Sequence, residues 1–261
     1  MVESVEIDGG APSVPLNLFA GRRLGHLFAS RQLAEAGKDV LIVEEGLHHK
    51  TENFSNKISD MMQNTWRNNG VTPFWGIPPI GFVEGKCLGG STVINGGLLW
   101  RTPKRMLNIW EKEYGLSGYG EDDLLRHFKK VEELLNVSFN RKDNQNLDSE
   151  MLKIGCDNLG WKYLQVPRAG GKNCINSNLC PTGCPSGAKQ STDLTYLPEA
   201  VKLGAKIFTG HKAILINYGN NKLHTTKIKN QLNDNITDIK SDYIFLSGGA
   251  IQTPFLLQKS K

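Results

Sequence analysis

Apolar residues in this chain come in short continuous runs near both ends and at helical spacing between them. Residues 16–20 form the first run and predict a strand, with Pro15 at its start, where a missing N–H is tolerated. Residues 24–36 carry good helix formers, and Gly37 follows where a C-terminal cap belongs. The run Val40, Leu41, Ile42, Val43 is rich in β-branched side chains, as in a strand buried on both faces of a parallel sheet. Strand, helix and strand within about thirty residues make a βαβ unit. Residues 50–82 read as polar and irregular, with Trp66, Trp75 and the pair Pro78 and Pro79. Helical spacing returns over 103–114 and over 121–135, where Leu124, Leu125, Phe128, Val131, Leu134 and Leu135 share a face. Residues 138–149 read as a surface loop and 174–187 as a cysteine-bearing loop. Residues 213–216 and 243–246 predict late strands, and no internal repeat occurs. Trp66, Trp75, Trp110 and Trp161 are read as core or lobe packing, with Trp75 a candidate for lining a substrate entrance.

Composition narrows the class. The 261 residues suffice for one large domain or for a domain with a smaller lobe, and 39% apolar with 22% charged residues fits a soluble globular chain. The net charge of +5 is dispersed and argues against a nucleic-acid partner. No apolar run approaches the ~18 residues of a transmembrane segment. The start, MVESVEIDGG, is acidic and lacks the basic and apolar regions of a signal peptide, so a cytoplasmic chain is expected. The five cysteines are an odd number in a long chain and do not suggest a disulfide framework.

Two stretches carry candidate chemistry. In GRRLGHLFASRQLAEAGKDVLIVEEG, residues 21–46, the turn before the helix sits where a dinucleotide-binding unit has G-x-G-x-x-G. Gly21 matches the first glycine, but Arg23 and His26 stand where the second and third belong. Two acids, Glu44 and Glu45, close the second strand, and Glu44 falls where an acid takes ribose hydroxyls. An ordinary βαβ unit without a ligand is the alternative for this stretch alone. The second stretch, GKCLGGSTVINGG, residues 85–97, has five glycines in thirteen positions. Such a loop brings backbone N–H groups close to a planar or anionic ligand.

Four segments in order resemble the glucose-methanol-choline (GMC) family of FAD oxidoreductases. GKCLGGSTVINGG resembles its first signature, and VLIVEEG its second strand with the ribose acid. SGGAIQTPFLLQKS is similar to its second signature. CPTGCPSGAKQST with YLPEAVKLGAKIFTG resembles a bacterial branch. The resemblance implies an α/β fold, a Rossmann-like FAD-binding domain with an incomplete substrate lobe. Residues 1–50, 84–100 and 200–261 would form the FAD-binding core, and 101–199 part of the cap or substrate lobe. It also implies residue roles. Gly21 would be the surviving phosphate-loop glycine, and Glu44 would bind the adenosine ribose. Gly89, Gly90 and Ser91 would follow the pyrophosphate and ribityl chain, and Asn95 and Gly96 would approach the isoalloxazine ring. The backbone of Ala213 would contact adenine, and Ser247, Gly249 and Ala250 would form the strand-end turn over the cofactor. The implied reaction is FAD-dependent oxidation of a small-molecule alcohol at its CH–OH group.

The departures are Arg23, His26, the irregular stretch before Gly21, and Leu99 where the pattern has an aromatic residue or alanine. Family members continue well beyond Lys261, and no histidine here (His26, His48, His49, His127, His211, His224) stands in the context of the family's catalytic pair. The chain alone is therefore expected to be inactive, with a complementary C-terminal polypeptide as a possible partner. The alternatives are a non-catalytic remnant of a disrupted gene and a thiol-based metal module. Cys174, Cys180 and Cys184 match no standard metal spacing and supply three ligands only, which favours a structural loop.

Overall fold

The computed structural model describes residues 16–21, 24–141, 145–219 and 222–260. Four parallel strands, β1 (Leu16–Gly21), β2 (Asp39–Val43), β7 (Lys206–Phe208) and β11 (Tyr243–Ser247), form a sheet in the order β11-β1-β2-β7. The central strands are there because their side chains suit burial on both faces: Leu18, Phe19 and Val40 are wholly buried. Phe19 stacks on Phe245 of β11 with ring centroids 4.5 Å apart. Helix α1 (Leu24–Glu35) packs against β2 and against α7 (Tyr196–Lys202), and Arg31 Nε lies 2.5 Å from Glu199 Oε2. An antiparallel meander of β8 (His211–Gly219), β9 (Lys222–Asn230) and β10 (Ile236–Ile239) adds Ile228 and Ile239 to a core with Leu18, Leu41, Val43 and Phe208. Helix α8 (Gly249–Lys259) follows β11 and packs on β8.

The chain divides into two compact units. The first holds the sheet, the meander and α8, and takes in the described residues up to Asn95, Pro181–Pro185 and those from Thr192 onward. It also holds α2 (Ile58–Thr65), the hairpin β3 (Thr72–Phe74) and β4 (Ile80–Phe82), and the short helix α3 (Ser91–Ile94). The second unit, Gly96–Cys180 with Ser186–Ser191, holds α4 (Lys104–Tyr114), α5 (Glu121–Leu134), α6 (Leu147–Asn158) and the short pair β5 (Val137–Ser138) and β6 (Arg168–Ala169). No helix among the described residues is long and apolar enough to cross a membrane.

Several expectations need correction. Residues 50–82 are not irregular: they contain α2 and a hairpin, and α2 was invisible because it buries only Met61 and Thr65. The loop expected over 138–149 gives way at Leu147 to α6, which buries Cys156 alone. Strand β9 reads KLHTTKIKN, polar at most positions, and so presents no apolar run in the sequence. Trp75 and Trp161 are 87% and 67% exposed and do not pack in a core.

Phe19→Ala removes a ring that is wholly buried and stacked, and should cost ~3–5 kcal/mol of stability in urea unfolding followed by circular dichroism. A shift no larger than that of the exposed variant Lys222→Ala would contradict the place of Phe19 in the sheet core.

Candidate functional site

Parallel strands deliver their C-terminal ends to one edge of the sheet, the usual place for ligands in open α/β folds. Gly21 ends β1 and pairs in register with Ser247, which ends β11. Glu44 follows β2; its N–H donates to the Phe208 carbonyl (2.9 Å), and its carbonyl accepts the His211 N–H (2.9 Å). The sheet edge thus gathers Gly21, Glu44, Ser247 and the start of β8, the strand that carries Ala213. Arg23 lies outside the described residues. Gly249, with φ of +89°, opens α8, and Ala250 is exposed in its first turn.

The glycine-rich segment is tied to the same edge. Leu47 and Cys87 form a parallel bridge, and the Leu88 N–H donates to the Leu47 carbonyl (2.9 Å). A Cβ on Gly46 would sit 2.3 Å from the Cys87 nitrogen, so a side chain there would force the two backbones apart. Beyond this contact Gly89 adopts φ of +88°, and a Cβ there would lie 2.8 Å from Val93 Cγ2 and 2.9 Å from Asp193 Oδ1. The Gly90 N–H donates to the Cys87 carbonyl (2.8 Å), and Gly85 N–H to Ser91 Oγ (3.2 Å). Asn95 follows α3 and is exposed, while Gly96 belongs to the second unit, where its carbonyl accepts from Arg168 Nη2 at 3.1 Å.

Within the first unit a cavity of about 310 Å³ opens beside the strand ends, near the lower end of the usual range for small-molecule sites, ~300–1,000 Å³. Ala20, Val43, Ala213, Ile214 and Gly248 line it. The β8–β9 ladder shifts register between Ala213 and Leu215, an irregularity that interrupts pairing of the strand backbone at the cavity wall. Charge is concentrated here too, with Arg67, Lys212, Lys229 and Lys259 against the single carboxylate of Glu45. The two acids after β2 part company. Glu44 is 3% exposed and its Oε1 accepts the Gly46 N–H at 2.7 Å. Glu45 reaches the cavity and pairs with Arg67 Nη2 at 2.7 Å. Arg67, Lys212 and Gln252 are cavity residues that the sequence did not single out; isolated polar residues carry no periodicity by which to find them.

None of the five cysteines forms a disulfide. Among the described residues no group of three or more His, Cys, Asp or Glu is arranged to hold a metal ion. His48 and His49 follow the bridge at Leu47, and burial pushes both below the ordinary histidine value, against opposition from Asp193 at His48 and from the Asn64 backbone at His49.

The sequence model of the GMC oxidoreductase family matches residues 62–261. The chain belongs to the GMC oxidoreductase family. Its relatives include an uncharacterised GMC-type oxidoreductase of Sinorhizobium fredii, 31% identical over 231 residues, which cover 87% of this chain and 45% of that protein. A second, from Mycobacterium tuberculosis, is 29% identical over 98% of this chain and 41% of its own length. A long-chain-alcohol oxidase of Arabidopsis thaliana is 28% identical over 89% of this chain and 32% of its own length. The chain therefore spans less than half the length of these curated relatives. Among solved structures, pyridoxine 4-oxidase (TM-score 0.67, 16% identity, 95% of this chain and 52% of that one) and formate oxidase (TM-score 0.67, 16% identity, 97% and 48%) share the fold.

The GMC N-terminal region is an FAD-binding one, and the residues present in this GMC chain fit that group. The backbone approach at Gly46 and the turn at Gly89 leave no room for a side chain, as a close-packed glycine loop requires, and the cavity that Ala213 lines, about 310 Å³, has room for part of such a group.

Gly89→Ala would combine an unfavourable positive φ with two close contacts, a strain of ~1–3 kcal/mol. Amide hydrogen exchange over residues 85–94 should accelerate in this variant while exchange in β1 and β2 stays as in the parent; unchanged exchange at the turn would contradict the strained geometry. The histidines give a second expectation. The unfolded chain takes up protons near pH ~6.5 that buried His48 and His49 resist, so their contribution is complete above that pH and lost as pH falls below it. The melting temperature should fall between about pH 7 and about pH 5, and His48→Gln with His49→Gln should flatten the fall. An equally steep fall in the double variant would contradict it.

Proposed function

We propose that this chain is the FAD-binding portion of an oxidoreductase that acts on the CH–OH group of an alcohol. The observation that carries the reading is the glycine cradle fixed to the end of β2 through Gly46 and Leu47. Gly89, Gly90 and Ser91 would direct backbone groups along the pyrophosphate and ribityl chain, with Asn95 and Gly96 toward the flavin ring. Ala213 would offer its backbone to adenine, Glu44 a carboxylate oxygen to the ribose and Gly21 a place in the phosphate loop, and Ser247, Gly249 and Ala250 would form the strand-end turn over the cofactor. Bound FAD would supply the acceptor for a hydride from the alcohol carbon. Backbone donors beside the ring would stabilise the negative charge that develops there.

The substrate class is suggested by relatives named long-chain-alcohol oxidases and by a fungal aryl-alcohol oxidase of the same fold. No residue of this chain is assigned to removing the alcohol's proton. The complete reaction would draw on sequence like that which the longer relatives carry, in continuation or on a complementary C-terminal polypeptide. A thiol-based metal module has no ligand set among the described residues to support it.

The test is a visible absorption spectrum of purified chain after incubation with FAD and removal of unbound cofactor. Flavin bands retained at close to one per chain, and lost in Gly89→Ala, are expected. A colourless chain that still melts cooperatively would favour the non-catalytic alternative instead.

A further inference from the structure

We propose that the buried ion-pair network of Glu45, Arg67 and Glu84 is a positioning device for the cofactor cradle, holding by charge a site whose phosphate loop lacks two of its glycines; this rests on the FAD reading above. Arg67 grips Glu45 with both terminal nitrogens, Nη2 to Oε2 at 2.7 Å and Nη1 to Oε1 at 3.3 Å. Its Nε donates to Glu84 Oε2 at 2.8 Å. The three side chains are only 10–11% exposed. Lys212 Nζ lies 3.4 Å from Glu45 Oε1, Lys86 Nζ lies 3.9 Å away, and Gln252 Nε2 donates to Glu84 Oε2 at 3.4 Å.

The members fall beside the segments that the cofactor would touch. Glu45 is next to Glu44, Lys212 is next to Ala213, Gln252 is two residues from Ala250, and Glu84 is five residues before Gly89. Backbone bonds already hold residues 65–67 against 84–86: Arg67 N–H to the Glu84 carbonyl (2.8 Å) and Lys86 N–H to the Thr65 carbonyl (2.6 Å). The side chains are therefore not needed to fasten that pair of segments. Their added effect is to join the pair to the end of β2, the start of β8 and the first turns of α8.

The energetics point the same way. Removing two carboxylates and a guanidinium from water is costly, and a buried network of this kind is weak support for stability compared with apolar side chains of similar size. Its best-attested use is to select one arrangement among several. Burial draws the Arg67 guanidinium down, but hydrogen bonding and charge from Glu45 and Glu84 outweigh it and hold the group above its usual value. A bidentate guanidinium also fixes direction as well as distance, which a lysine cannot do.

The decisive comparison is between the parent and the triple variant Glu45→Leu/Arg67→Met/Glu84→Leu, which leaves no uncompensated buried charge within the triad; Lys86 and Lys212 are 40% and 33% exposed and can turn to water. The triple variant should melt in a single transition near that of the parent. Without any flavin, its amides over residues 85–94 should exchange about tenfold faster or more, and its FAD dissociation constant should rise by about tenfold or more. Unchanged exchange together with unchanged affinity would overturn the proposal. If the parent itself fails to retain FAD, the functional reading falls, and cradle exchange alone decides the network. Should the triple variant not melt cooperatively, Glu45→Gln, which keeps shape but removes charge, is judged by the same two readouts. Arg67→Met alone should be less stable than the triple variant, since it strands two carboxylates; equal or greater stability would count against charge as the holding force.

Discussion

The end of β2 touches the glycine-rich segment only because residue 46 has no side chain, and the rest of the site depends on that approach. With a Cβ 2.3 Å from the Cys87 nitrogen, the two backbones could not stay in contact. The parallel bridge of Leu47 and Cys87 and the bond from Leu88 to Leu47 both lie within two residues of it. The same turn fixes Glu44, whose carboxylate accepts the Gly46 N–H. A backbone contact of this kind is stiffer than any side-chain contact, since no rotamer can relax it. It joins a fully buried strand to a glycine-rich turn that is itself largely buried.

That rigidity supports a costly conformation. Gly89 and Gly90 both have positive φ, and the turn between Cys87 and Ser91 would open if its ends were loose. The ends are not loose: Cys87, Val93 and Ile94 form a buried cluster, with Phe54 and Trp66 packed against it. Apolar burial thus sits directly beside the glycine turn, which is itself buried at Gly89 and Gly90. Binding residues on loops over a firm scaffold are the general pattern in α/β folds, and here the scaffold reaches within two residues of the glycines.

The sequence showed the first βαβ unit to within about one residue at each boundary. A continuous apolar run, a run of good helix formers and Gly37, with φ of +70°, speak for themselves at that length. It singled out Glu44 as a candidate by distance along the chain, and the segment of Gly89 and Gly90 by glycine density. Strand β9 was hidden because its buried positions, Thr226 and Ile228, stand among lysines and threonines. Helices α2 and α6 were hidden because each lays one or two side chains on its unit and leaves the rest in water. Arg67 was hidden for a different reason. Its partners lie 22 and 17 residues away, and no local pattern couples residues at such separations. Trp75 misled because aromatic residues are usually buried, and here the ring stands at the tip of a hairpin.

Glu44 and Glu45 show how adjacent like residues acquire different work. Successive side chains leaving a strand point to opposite faces, so one acid turns inward to the Gly46 peptide and the other enters the cavity. The depth of the second pairing decides what it can do. Exposed pairs such as Arg101 with Glu132, or Lys227 with Asp238, are screened by salt and weakened by side-chain freedom. At 11% exposure Arg67 and Glu45 are screened far less, and the second carboxylate and a backbone bond restrict the guanidinium further. Such a pair persists at physiological ionic strength with its direction fixed. A site lacking two phosphate-loop glycines after β1 can therefore draw order from charge at the end of the neighbouring strand β2.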